Sequence, residues 1–156
     1  MSKFAVKGII AAVLAITAST GFTVTESTTL QVTARIAGGC VISLSGPMAF
    51  GDLSLTSGAA EVKQVTVTYK CANGILVSQL SVGGDTDGNF AGTMNNTSGV
   101  TDSINYDITW PATVSYTSTG FADIRNVVLT GTIPNANYAT KSPGNYAQSV
   151  PVSINY

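Results

Sequence analysis

Cys40 and Cys71 are the only two cysteines of the chain. They form no Cys-x-x-Cys motif, and with no histidine anywhere they cannot complete a zinc site. Carboxylates are the next candidates. Asp85, Asp87 and Asn89, within GGDTDGN (83–89), look like the start of a calcium loop. An EF-hand loop needs glycine at its sixth position and a distant bidentate glutamate. Here Gly88 stands fourth and no glutamate follows, so the stretch reads as a hairpin turn. The same string approaches the Asp-Thr-Gly of aspartic proteases, but Asp87 breaks it. Asp102 and Asp107 could in principle flank a glycosidic bond, yet nothing near them in sequence would raise a pKa. Without histidine there is no Ser-His-Asp or Cys-His machinery. GxSxG, P-loop and GxGxxG motifs are absent. An enzyme reading has no residue set to stand on, and no cofactor is implied. Asn95-Asn96-Thr97 and Asn96-Thr97-Ser98 satisfy the glycosylation sequon, which matters only in a secretory system that glycosylates.

The elements around these residues are those of strands and turns. Of 156 residues only 10% are charged, seven basic against eight acidic, where a typical soluble domain has about 25%. That balance excludes a basic nucleic-acid footprint and an electrostatic hold on anionic membranes. Threonine (21), serine (16) and glycine (16) dominate, with valine and isoleucine. The length allows one domain with a real core.

Lys3 and Lys7 precede a nine-residue apolar run, 8–16, and then the small residues Thr17, Ala18, Ser19, Thr20 and Gly21. This is the layout of a secretory signal peptide over 1–21, cleaved after Ala18 or Gly21. The run is far short of the ~20 residues that span a bilayer, and no later stretch reaches that length. Export suits an even cysteine count, so a single Cys40–Cys71 disulfide is expected. Closing that loop adds roughly 3.7 kcal/mol by chain entropy.

Period-2 alternation then recurs. It puts on shared faces Leu30, Val32, Ala34 and Ile36; Val65, Val67, Tyr69 and Cys71; Leu76, Leu80 and Val82; Ile104, Tyr106, Ile108 and Trp110; Val127, Leu129 and Ile133; and Tyr146, Val150, Val152, Ile154 and Tyr156. Turn-rich stretches separate them at 83–89, 95–99, 117–120 and 142–145. Many short strands with one buried face predict an all-β sandwich. Lone Trp110, followed by Pro111, reads as a core anchor at a strand end.

The segment 28–37 has two open readings. It is either a first strand folded onto its own domain or a strand that leaves to fill another subunit. Gly38 and Gly39 make a flexible joint before Cys40.

Four features together resemble the spore coat protein U domain family, which includes the pilins of archaic chaperone–usher pili. They are Leu30-x-Val32-x-Ala34-x-Ile36-x-x-Gly39-Cys40; Phe50-Gly51-Asp52-Leu53; Val65-x-Val67-x-Tyr69-x-Cys71; and the closing run from Gly144 to Tyr156. The likeness covers essentially the whole mature chain, with 84–125 matching loosely. It implies an incomplete immunoglobulin-like β-sandwich over 38–156, completed by a donor strand from a neighbouring subunit. Residues 22–37 would then be the donor segment, with Leu30, Val32, Ala34 and Ile36 as its inserting side chains. Val150, Val152 and Ile154 would line the acceptor groove, and the Tyr156 carboxylate would anchor a periplasmic chaperone. The implied partners are further copies or related pilins, that chaperone and an outer-membrane usher, on a path through the periplasm to a surface fimbria that supports adhesion or biofilm formation. The rival readings are a coat-type protein that completes its own fold and a secreted β-sandwich binding module.

Overall fold

The computed structural model describes residues 28–56 and 58–156. The expected signal peptide and the start of the expected donor segment lie outside them. Contacts divide the chain into two units, Met1–Arg35 and Ile36–Tyr156. Within the first, residues 28–35 carry no regular secondary structure.

The second unit is all-β apart from one 3-10 turn, Asn135–Asn137. Its strands are β1 Cys40–Leu44, β2 Glu61–Cys71, β3 Leu76–Val77, β4 Gln79–Val82, β5 Asn89–Asn96, β6 Ser103–Thr109, β7 Tyr116–Thr117, β8 Arg125–Ile133, β9 Tyr146–Ala147 and β10 Val152–Asn155. Six form one sheet in the order β1-β2-β8-β6-β5-β9, while β10 pairs with β4 and β3 with β7. All the pairings are antiparallel.

Alternation places the core. Val65, Val67, Tyr69 and Cys71 of β2 are buried, as are Ile104, Tyr106 and Ile108 of β6 and Val127, Leu129 and Ile133 of β8. All but Val65 pack in one cluster with Leu80 and Val82 of β4, which makes the arrangement an immunoglobulin-like sandwich with its core between the layers. Each such side chain contributes roughly 1.5–3 kcal/mol by leaving water. Trp110 is buried just past the end of β6, as expected.

Three expectations are corrected. Leu76 does not share the inward face of Leu80 and Val82; it is exposed and Val77 points inward. The chain changes partners at Ser78, from β7 to β10, and the alternation slips by one residue there. Asn95 and Asn96 belong to β5 rather than to a turn. Thr117 is likewise the last residue of β7.

Cys40 and Cys71 are joined by a disulfide. The two are also register partners at the start of β1 and the end of β2. The Ala72 N–H donates to the Gly39 carbonyl at 2.9 Å, extending the ladder one step past the bridge. Ser118, fully buried, donates its hydroxyl to the Cys71 carbonyl at 2.9 Å and pins the β7 end to the same point.

Candidate functional site

Among the strands of the Ile36–Tyr156 unit that have an open side, two flank a cavity. β1 pairs with β2 alone, and β10 with β4 alone. On β10 the carbonyls of Pro151 and Asn155 accept from Gly83 and Ser78, each at 2.8 Å. Alternation along an antiparallel ladder therefore turns the backbone groups of Val152 and Ile154 to the open side. On β1 the bonds at Gly39 and Ser45 face the β2 side, which turns Ile42 and Leu44 outward in the same way.

Between these edges lies a cavity of about 270 Å³. Leu44 and Met48 line one wall, Val150 and Val152 the other, and Val65, Val82 and Leu129 are at the floor. No lining side chain is charged. A second cavity of about 530 Å³ shares Met48, Phe50 and Met94 with the first and continues past Leu53 to Tyr138 and Tyr146. The two make one trough between residues 44–55 and 144–152.

The described residues of the wall at 45–60 contain no strand. Pro47 and the positive φ of Gly51 (74°) keep it from continuing β1. It is held by side chains instead: Met48, Phe50 and Leu53 pack on the core. The opposite wall breaks between β9 and β10. Gln148 bridges the break, its Oε1 accepting from the Thr93 N–H at 2.8 Å and from the Tyr106 hydroxyl at 2.9 Å. Burial pushes the Tyr106 phenol above its ordinary value, which keeps it a donor.

The structure gathers some expected site residues here. Val150 and Val152 line the smaller cavity, and Ile154 packs against the core two residues on. Tyr156 is exposed beyond the end of β10. Leu30, Val32 and Ile36 are 84%, 83% and 92% exposed, and Ala34 is exposed too. Sequence reasoning missed Leu44, Met48, Met94 and Gln148. A hint was present in Met48 and Phe50, which alternate after the Gly46-Pro47 break.

The carboxylates do not converge. Asp102 accepts from the Ser142 N–H at 2.8 Å and pairs with Lys141 at 3.6 Å. Asp107 points away from the core, opposite Thr132 and Ala91. Asp87 accepts from the Asn89 N–H at 3.1 Å, closing the hairpin turn. No group of three His, Cys, Asp or Glu that could hold a metal occurs among the described residues. None of the helices among them is long and apolar enough to cross a membrane.

A trough whose smaller cavity is uncharged, with Asp52 and Lys141 only in the larger one, and which is flanked by the open edges of β1 and β10, suits an extended peptide. Such a peptide would bond through its main chain to an edge and seat alternate side chains in the cavities. In the comparisons with known proteins, the family model of the Spore Coat Protein U domain matches residues 26–153. No curated protein matches the chain.

Proposed function

Because the chain belongs to the Spore Coat Protein U domain family, the family of archaic chaperone–usher pilin subunits, we propose that it is a structural fimbrial subunit assembled by donor-strand exchange. The family is a structural one and not an enzyme family. In this reading residues 22–37 of the mature, exported chain leave their own domain. Leu30, Val32, Ala34 and Ile36 enter the trough of the next copy and pair with the open edge at Val152 and Ile154. Before that, a periplasmic chaperone covers the trough and holds the Tyr156 carboxylate, and an outer-membrane usher passes the subunit to the surface. There the fimbria supports adhesion or biofilm formation.

One observation carries the reading: the uncharged 270 Å³ cavity between Leu44 and Val152, with an unpaired strand edge on each side. Such an edge is an aggregation site unless covered, which gives the chaperone its purpose. A head-to-tail contact of this kind does not close, so it builds a filament. The donor side chains gain very roughly 5–10 kcal/mol gross on burial, Ala34 least.

The test is gel electrophoresis in SDS of the sheared surface fraction, unheated and boiled, with disulfides intact. A ladder that collapses to one band on boiling is expected. A single monomer band in both lanes would overturn the proposal and assign 28–37 to the chain's own fold.

A further inference from the structure

We propose that the outward face of the six-stranded sheet is a two-fold interface between two copies of this chain, with Val128 at its centre and the Lys70 of each copy on the Asp107 of the other. This face is turned away from the core and the trough, so the inference does not rest on strand exchange.

The face carries almost no charge. The residues pointing outward from β1, β2, β8, β6 and β5 are threonines, asparagines, serines and valines, with Gln64 and Ala91. Lys70 on β2 and Asp107 on β6 are the only two charged ones, one of each sign. Neither takes part in an ion pair among the described residues. Three valines, Val41, Val62 and Val128, stand exposed among the polar side chains.

The register fixes where the two charges lie. Thr66 is opposite Val128, and Val62 is opposite Thr132. Asp107 is opposite Thr132 on the other flank of β8. Asp107 therefore sits four residues below the Thr66–Val128 row, and Lys70 four residues above it. β8 runs midway between their two strands. Val128 is thus the midpoint of the line from Lys70 to Asp107. At about 3.4 Å per residue and 4.8 Å per strand, that line is about 29 Å long.

A two-fold axis through Val128, in the plane of contact and perpendicular to that line, exchanges its two ends. Valine then meets valine, and both ends close with opposite charges. This is the self-complementarity an isologous contact requires. Five strands over that length offer about 600 Å² per copy, or about 1,200 Å² in total, above the ~1,000 Å² that marks a specific interface. The face is also prepared for burial. Gln64 donates to Thr130 at 3.3 Å, Thr68 to Asn126 at 2.8 Å and Thr93 to Asn105 at 2.9 Å, so these groups lose less when water leaves.

Charge reversal with rescue tests this on the mature protein. Self-association is read by sedimentation in the absence of SDS, and strand exchange separately by the unheated SDS ladder. Lys70→Glu and Asp107→Lys each turn two attractions into repulsions and should weaken self-association about tenfold. The double variant Lys70→Glu/Asp107→Lys should restore it, and Val128→Asp should weaken it with no such rescue. The ladder should be unchanged in all four. A double variant no better than the single ones, or a Val128→Asp protein that associates like the wild type, overturns the proposal.

Discussion

The sulfur of Met48 lies over Gly131, in the space a side chain on that residue would occupy, with the Phe50 ring beside it. Gly131 falls at an inward position of β8, between buried Leu129 and Ile133. The gap it leaves in the sheet is what seats the strandless wall of the trough.

Gly131→Val fills that gap and pushes Met48 outward. Overpacking of this kind costs about 1–3 kcal/mol, which a lowered denaturant midpoint would show. Met48→Ala in the same chain should recover part of the loss, because the two side chains compete for one space. Strictly additive losses would mean that Met48 and Gly131 do not share it.

Val32→Asp and Ile36→Asp place a carboxylate where donor side chains would enter the uncharged smaller cavity of the trough. Each should abolish the unheated SDS ladder while leaving the thermal unfolding of the Ile36–Tyr156 unit unchanged, since both positions are exposed. A normal ladder from either variant would remove 28–37 from the donor role.

Replacing both cysteines by serine opens a loop of 31 residues. The chain-entropy loss is roughly 3.7 kcal/mol, to be read as the difference in unfolding free energy between oxidised wild type and the double variant. A loss near zero would mean that the β1–β2 ladder alone holds the two ends.

Stability should fall in acid. The Ser142 hydrogen bond, ahead of the Lys141 charge, holds the Asp102 carboxyl below its ordinary value of 3.8. A carboxyl lowered by folding stabilises the protein above that ordinary value, and the contribution is lost as pH falls through the depressed one. Asp123, held low by its Arg125 hydrogen bond, acts in the same direction. Asp102→Asn should therefore flatten part of the decline in a series of urea midpoints taken down through pH 3.8. An unchanged slope would show that Asp102 is not among the groups responsible.

Strands with a strict alternation were legible in the chain: β2, β6 and β8 fall where Val67, Tyr106 and Leu129 announced them. β5 was not. Its inward positions are Phe90, Gly92 and Met94, and the middle one has no side chain to signal burial. The ring of Tyr106 covers Gly92 from the neighbouring strand, so the burial belongs to the pair and not to either sequence. The trough was half legible for a similar reason. Val150 and Val152 alternate on one wall. On the other, Met48 and Phe50 are held by packing alone, in a stretch whose proline and glycine read as loop.

The position of the disulfide has a mechanical side. Any pull on residues 28–39 enters the folded unit at Cys40. The sulfur bridge passes that tension sideways to Cys71 at the end of β2. Without the bridge, that tension would rest on the five register pairs of β1 and β2 alone. With it, the load is shared with a strand held on its other flank by nine register pairs with β8. The root of residues 28–39 is thereby tied to two strands and not to one.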